Sequence, residues 1–134
     1  MEATSVGIDV SSDRLDVGIH ASGEVFAVAR TAAGLDVLIA RMKQLQPRVI
    51  ALEATGGFET MAAAALSAAG LPVAVVNPAQ IRHFAQAIGQ RAMTDPIDAA
   101  VIAHFAEATA LEPRPQARPA RSVSAAMAAN TINP

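Results

Sequence analysis

The order of hydrophobic periods along the chain constrains its fold more than any other feature. Three strand-like segments come first, and helix-like and strand-like segments then alternate as far as residue 112. The predicted strands are Val6–Val10, Leu15–Ile19, Glu24–Arg30, Arg48–Glu53 and Leu71–Val76, and the predicted helices are 35–45, Phe58–Ala69, 78–88 and one from about Pro96. Right-handed βα crossovers would place the first strand beside the fourth. The order therefore predicts an α/β fold with a mixed five-stranded sheet flanked by helices.

The second and fourth strands are expected to differ in burial. In the second strand, apolar residues alternate with Asp16, Gly18 and His20. This alternation predicts a strand that buries only one face. The fourth strand is a continuous apolar run that ends at Glu53, which is typical of a strand buried on both faces in a parallel sheet.

Composition excludes several classes of protein. The chain has 134 residues, of which 52% are hydrophobic and 16% charged, so it is predicted to be globular. It contains no cysteine, which excludes disulfides and thiolate metal sites, and no tryptophan or tyrosine, which argues against an aromatic base-stacking platform. A net charge of −2 is a poor basis for tight, autonomous binding of nucleic acid.

The two ends of the sequence give predictions about location and order. The start lacks the features of a signal peptide, and no apolar run approaches the length of a membrane span. The sequence therefore predicts a cytoplasmic protein without a membrane partner. Residues 113–134 are rich in Pro, Ala and Arg and show no period of either kind, so this segment is predicted to be a disordered tail.

Four acids occupy positions where a carboxylate is expected to have a specific role. Asp9 lies in the first strand and Glu53 ends the fourth, where burial of an unpaired charge is costly. Asp95 and Asp98 are three residues apart at a predicted helix start and share a helix face. Carboxylate oxygens are natural ligands for Mg²⁺ or Mn²⁺. Convergence of these acids would give a divalent-metal site for phosphodiester chemistry.

Each of the four acids also has a simpler interpretation. Asp9 and Glu53 can be plain strand-end acids. Pro96 suits the first helical position, which would make Asp95 an N-cap and place Asp98 in the first turn, where the helix dipole favours negative charge. A carboxylate has two oxygens, so capping and metal binding are compatible.

The acids stand in sequence motifs with a particular order and spacing. The motifs are Gly7-Ile8-Asp9-Val10, Leu52-Glu53-Ala54-Thr55-Gly56-Gly57, Asn77-Pro78-Ala79-Gln80-Ile81-Arg82-His83-Phe84-Ala85 and Thr94-Asp95-Pro96-Ile97-Asp98-Ala99. Together they resemble the N-terminal domain of the DEDD transposases, the Piv-like recombinases of bacterial insertion sequences. The similarity extends from about Ser5 to Pro113.

The resemblance implies a RuvC-like, ribonuclease H-like fold over residues 1–112, in which Asp9, Glu53, Asp95 and Asp98 bind magnesium and act as the catalytic acids. It also implies DNA as the substrate, a structured guide RNA as a partner and assembly into a homo-oligomer. Members of the family are longer and carry a coiled-coil region and a C-terminal domain with a catalytic serine. No residue here matches that serine, Ser122 and Ser124 included. The sequence therefore predicts a truncated transposase that does not recombine DNA alone.

Three positions depart from the family pattern. Members often carry lysine where this chain has Ser12 and Met93, and a basic or polar residue where it has Pro96. Loss of positive charge beside the acids would weaken the grip on a phosphate backbone. The alternative function is therefore a non-catalytic remnant that binds RNA or a full-length transposase. Half of an actin-like sugar kinase would open similarly, but the sequence lacks its second lobe and its glycine-rich phosphate hairpin.

Other polar features favour structural roles. The Thr55–Gly57 turn precedes a helix and could present N–H groups to a phosphate, but a simple strand-to-helix turn is favoured. Arg82 and Arg91 are candidate nucleic-acid contacts, although solvated surface charge is the preferred interpretation. The histidines, at 20, 83 and 104, show no metal-ligand spacing, and His104 is predicted to be packed or half-exposed.

Overall fold

The structure is a computed structural model that describes the backbone of residues 4–90, 95–114, 124–125 and 127–133, and the side chains of residues 4–90 and 97–114. In chain order, the elements of the main fold are β1 (Ser5–Val10), β2 (Arg14–His20), β3 (Val25–Ala29), α1 (Ala32–Leu45), β4 (Val49–Glu53), α2 (Phe58–Ala68), β5 (Val73–Val76), α3 (Pro78–Ala87) and α4 (Asp95–Ala108). The predicted order of elements is confirmed.

Strand β1 lies at the centre of a five-stranded sheet with the order β3-β2-β1-β4-β5. It pairs antiparallel with β2 and parallel with β4. The β2–β3 pair is antiparallel and the β4–β5 pair is parallel, so the sheet is mixed. The first strand therefore lies beside the fourth, as the sequence predicts.

Each face of the sheet packs against helices. On one face, Val6, Ile8 and Val10 of β1 join a core with buried residues of α1 and α2. Because successive strand residues point to opposite faces, Ser5, Gly7 and Asp9 point to the other side. That second face packs against α3 and α4, and its apolar core contains Val49, Ala51, Ile81, Ile102 and Phe105.

The prediction that β2 buries only one face is wrong. Gly18 is buried and Asp16 is 2% exposed, because α4 covers this side of the strand. Gly7 and Gly18 face each other across β1 and β2. A Cβ atom on Gly18 would lie 2.8 Å from the backbone N of Ala100, and one on Gly7 would collide with the α4 backbone. Two glycines thus allow α4 to lie directly on the sheet.

Arg48, just before β4, fixes the other end of α4. Its guanidinium donates hydrogen bonds to the carbonyl oxygens of Ala106 (2.9 Å) and Leu111 (2.7 Å) and to the hydroxyl of Ser5 (3.1 Å). Ala106 is in the last turn of α4 and Leu111 follows the helix end, where the helix dipole favours a cation. Arg48 therefore ties the end of α4 to the sheet.

The C-terminal segment is only partly described. The backbone N–H of Arg114 donates to the carbonyl of Val73, so residue 114 lies beside the start of β5. Two further strands, β6 (Ser124–Ala125) and β7 (Met127–Asn133), pair with each other. The division of the chain into residues 1–112 and a disordered tail at 113–134 stays a prediction. Within the described ranges, no helix has the length and apolar character needed to span a membrane.

Candidate active site

Asp9 is the carboxylate at the centre of the sheet. It lies one residue before the end of β1, is 8% exposed and points to the face covered by α4. Its neighbours Ile8 and Val10 point to the opposite core. The sequence motif thus places an acid in an otherwise apolar strand because that acid faces a different layer of the protein.

Glu53 lies beside Asp9 on the adjacent strand. The last paired residues of β1 and β4 are Ile8 and Leu52, and the two acids each follow by one residue. Both side chains therefore point to the same face of the sheet. The expectation that Asp9 and Glu53 are neighbours across the sheet agrees with this register.

Asp98 approaches these acids from α4. It lies in the first turn of the helix and is half-buried, with its Oδ1 atom buried. Burial and the negative charge of Asp98 both raise the pKa of the Glu53 carboxyl, and the positive charge of Arg82 acts in the opposite direction. Asp98 and Glu53 therefore lie within electrostatic reach of each other, although they belong to different layers.

Asp95 is the first residue of α4, three residues before Asp98. The helix therefore begins one residue earlier than the predicted start at Pro96, which is within the usual spread of helix boundaries. The side chain of Asp95 lies outside the described residues, as do Arg91 and Met93. The capping and metal-binding roles of Asp95 stay predictions.

Asp16 is a fourth acid on this face that the sequence interpretation missed. It is directly opposite Asp9 in the β1–β2 register and is 2% exposed. The Nε of Arg14 donates to its carboxylate at 3.0 Å. We refer to Asp9, Asp16, Glu53 and Asp98 together as the carboxylate face. The register of the hairpin already placed Asp16 opposite Asp9, but the alternation suggested an exposed face.

N–H groups of the Thr55–Gly57 turn donate hydrogen bonds to a side chain of the protein itself. The Glu59 carboxylate accepts hydrogen bonds from the N–H of Thr55 (2.9 Å) and of Gly57 (3.1 Å), and from the Thr55 hydroxyl (3.3 Å). Burial acts to raise the pKa of Glu59, but these hydrogen bonds outweigh it and lower the pKa. Because Glu59 already uses these donors, the geometry favours the simple turn over a phosphate cradle.

His20 and His104 lie away from the carboxylate face. The rings of His20 and His104 stack with centroids 5.0 Å apart, and Phe84 meets His104 edge-on. His20 pairs with Ser5, at the end of β1 opposite to Asp9. His104 is half-buried, as predicted, but the sequence spacing gave no sign of its contact with His20.

The described side chains do not by themselves complete a metal site. Among them, and thus without Asp95, no group of three or more histidine, aspartate or glutamate residues is arranged to hold a metal ion. Ser12, where the family often has lysine, is exposed, and its carbonyl accepts a hydrogen bond from Arg30 Nε at 2.8 Å. The arrangement therefore provides acids that share a face, with arginines near its rim.

The fold is also found in solved structures. T. thermophilus RuvC in complex with Holliday junction substrate matches with a TM-score of 0.56 and 15% identity, over 84% of this chain and 99% of that chain. The fowlpox virus Holliday junction resolvase matches with a TM-score of 0.53 and 13% identity, over 80% and 98% of the two chains. These similarities confirm the predicted RuvC-like, ribonuclease H-like fold.

Comparison of sequences identifies the family. No curated protein sequence matches the chain. Residues 6–128, however, match the transposase family of the IS110 DEDD type. This match spans all but a few residues at the two ends and contains every predicted site residue. The protein is therefore a member of the IS110-type DEDD transposase family.

Proposed function

We propose that the protein binds Mg²⁺ or Mn²⁺ at the carboxylate face and that this site performs phosphodiester chemistry on DNA during transposition or recombination. The observation that carries the proposal is that Asp9 and Glu53 lie side by side on β1 and β4, with Asp98 of α4 within electrostatic reach of Glu53. Asp95 is the fourth proposed ligand, because it precedes Asp98 by three residues on the same helix.

The chemistry of the donors supports this proposal. Mg²⁺ prefers oxygen ligands in octahedral geometry and usually keeps several waters. The raised pKa of Glu53 shows that burial and the charge of Asp98 disfavour its ionised form, and a divalent cation would relieve both effects. Because the described acids do not complete a three-ligand group, the proposal needs Asp95 as a ligand.

The chain contributes rigid positioning to the proposed reaction. A divalent metal held by these acids would supply activation of an attacking oxygen and stabilisation of the leaving oxygen in a phosphodiester displacement. Asp9 and Glu53 are held on neighbouring strands, and α4 holds Asp98 above them. Burial of Asp9 lowers the local dielectric, which strengthens its interaction with positive charge.

Thermal unfolding in the presence of metal tests the site. We expect Mg²⁺ to raise the Tm, because an ion that binds only the folded state stabilises it by mass action. At tenfold excess over Kd the gain is about 1.4 kcal/mol, or about 5 °C for a domain of this size. Asp9→Asn should abolish the rise.

Asp36→Asn provides the matched control for Asp9→Asn. Asp36 is an exposed acid on α1, away from the carboxylate face, so this variant should keep the full metal-dependent rise. A wild-type protein whose Tm does not respond to Mg²⁺ or Mn²⁺ would contradict the proposal. A rise that persists in Asp9→Asn would contradict the assignment of Asp9.

A further prediction concerns the complete recombination reaction. We expect the purified chain to bind metal but not to exchange strands between a matched donor and target, because no residue here matches the family's serine nucleophile. Formation of recombinant product by the purified chain would contradict this expectation. Binding of a guide RNA and assembly into a homo-oligomer stay predictions from the resemblance.

A further inference from the structure

Arg14 is anchored at the rim of the carboxylate face. Its side chain is 47% exposed, whereas the side chain of Asp16, whose carboxylate accepts its Nε–H, is 3% exposed. Arg14 and Asp16 are two residues apart on β2, so both point to the same face as Asp9. A buried carboxylate thus holds an exposed guanidinium beside the acids.

Arg82 lies on the opposite side of the same acids. It is an exposed residue of α3, the helix that follows β5, and its charge acts on Glu53. Strand β5 is three positions from β2 in the sheet order. Arg14 therefore lies on the β2 side of the acids and Arg82 on the β5 side.

We propose that Arg14 and Arg82 bind backbone phosphates of a DNA strand on the two sides of the carboxylate face, and that Asp16 is a positioning residue for Arg14. This inference rests on the proposed function, because it takes the carboxylate face as the reaction site. It adds the residues that hold the substrate across that site.

Electrostatics and geometry indicate that Arg14 and Arg82 bind phosphate and do not merely neutralise the nearby acids. The acids of the carboxylate face repel a phosphate backbone, so a strand that crosses them needs cations on either side. A guanidinium presents N–H donors in a planar fork that matches phosphate, and the bond from Arg14 Nε to Asp16 fixes the orientation of this fork. Anchoring of Arg14 by a buried partner lowers the entropy lost when it binds a ligand.

The salt dependence of DNA binding tests the proposal. Affinity for a short, fluorescein-labelled single-stranded DNA is measured by anisotropy in Mg²⁺ at several KCl concentrations. Arg14→Gln and Arg82→Gln should each weaken binding roughly tenfold or more. Each should also reduce the slope of log K against log[KCl] by about 0.7, the value for one lost phosphate contact on a single strand.

Arg41→Gln is the matched control. Arg41 is also an arginine in an ion pair, with Glu24 at 2.7 Å, but it lies on α1 on the opposite face of the sheet. This variant should keep the wild-type slope. Asp16→Asn should weaken binding without changing the slope, because it loosens Arg14 but leaves its charge.

Several results would overturn the proposal. These are wild-type slopes in both Arg14→Gln and Arg82→Gln, an equal loss of slope in Arg41→Gln, or no measurable DNA binding by the wild-type protein at low salt. Arg82 is exposed on its helix, so its variant should fold even if Arg14→Gln does not. The Mg²⁺-dependent rise in Tm needs neither arginine, so failure of the metal site is distinguishable from failure of this inference.

Discussion

At the start of α2, the Glu59 side chain occupies a turn that the sequence could assign either to phosphate binding or to a simple strand-to-helix connection. Glu59 accepts hydrogen bonds from the N–H groups of Thr55 and Gly57. These bonds stabilise the ionised form of Glu59 and lower its pKa from the ordinary 4.5. A lowered pKa in the folded state means that the contribution to stability is present above the unfolded pKa and is lost as the pH falls through the folded pKa.

Glu59→Gln should therefore destabilise the protein at neutral pH by about 0.5–1 kcal/mol, the usual size of a lost helix-start cap. The difference from wild type should shrink as the pH falls from 4.5 through the lower folded pKa of Glu59. Urea unfolding at pH 7 and pH 3 measures this difference. Glu112→Gln, at an exposed acid near the end of α4, is the control. A difference between Glu59→Gln and wild type that grows at low pH would contradict the assignment.

Helix α4 determines the geometry of the site, because it carries Asp98 and covers Asp16. Its position depends on two glycines beneath it and on Arg48 at its C-terminal end. The glycines remove the side chains that would separate helix from sheet, and Arg48 satisfies carbonyl oxygens at the helix end. Perturbing either contact should therefore affect both stability and the metal response.

Gly7→Ala should destabilise the protein by about 3 kcal/mol or more, because its Cβ would collide with the backbone of α4 and overpacking forces the backbone to move. Gly89→Ala serves as a comparison, since its Cβ would meet open space and only the positive φ of 79° causes strain. That strain costs about 1–2 kcal/mol. Equal losses in urea unfolding would show that α4 does not lie against Gly7.

Arg48→Met should cost about 2–3 kcal/mol, because it leaves partly buried acceptors without their charged donor. Arg41→Met is the matched control: it breaks the more exposed pair with Glu24, which is worth about 0–1 kcal/mol. Chemical denaturation of both variants provides the comparison. If the two variants lose the same stability, Arg48 does not anchor α4.

Whether a part of the fold or site could be predicted depends on how far apart in sequence the interacting residues lie. Asp9 and Glu53 were predicted as neighbours because strand order and the two-residue period are local properties that combine by a general crossover rule. Asp16 was missed because it is covered by α4, a helix that begins about 80 residues later in the sequence. Gly7 and Gly18, directly opposed in the hairpin, were the available signal. The bonds of Glu59 depend on loop geometry that the sequence pattern does not give.

For the whole molecule, charge distribution matters more than net charge. The chain carries a formal net charge of −2, which disfavours general attraction to DNA. The acids nevertheless share one face, and Arg14 and Arg82 lie on either side of it. Divalent metal would neutralise much of the negative charge between the arginines. We therefore expect binding of DNA to be stronger in Mg²⁺ than in EDTA at the same ionic strength, as measured by anisotropy.

The central claim is that the acids of this transposase domain bind divalent metal together. Anomalous diffraction from crystals soaked in Mn²⁺ tests it most directly. The account predicts Mn²⁺ within coordination distance of Asp9, Glu53 and the acids of the α4 start, at about 2.0–2.3 Å from their carboxylate oxygens. Diffraction that shows no anomalous peak at these carboxylates, or manganese bound only elsewhere, would contradict the account.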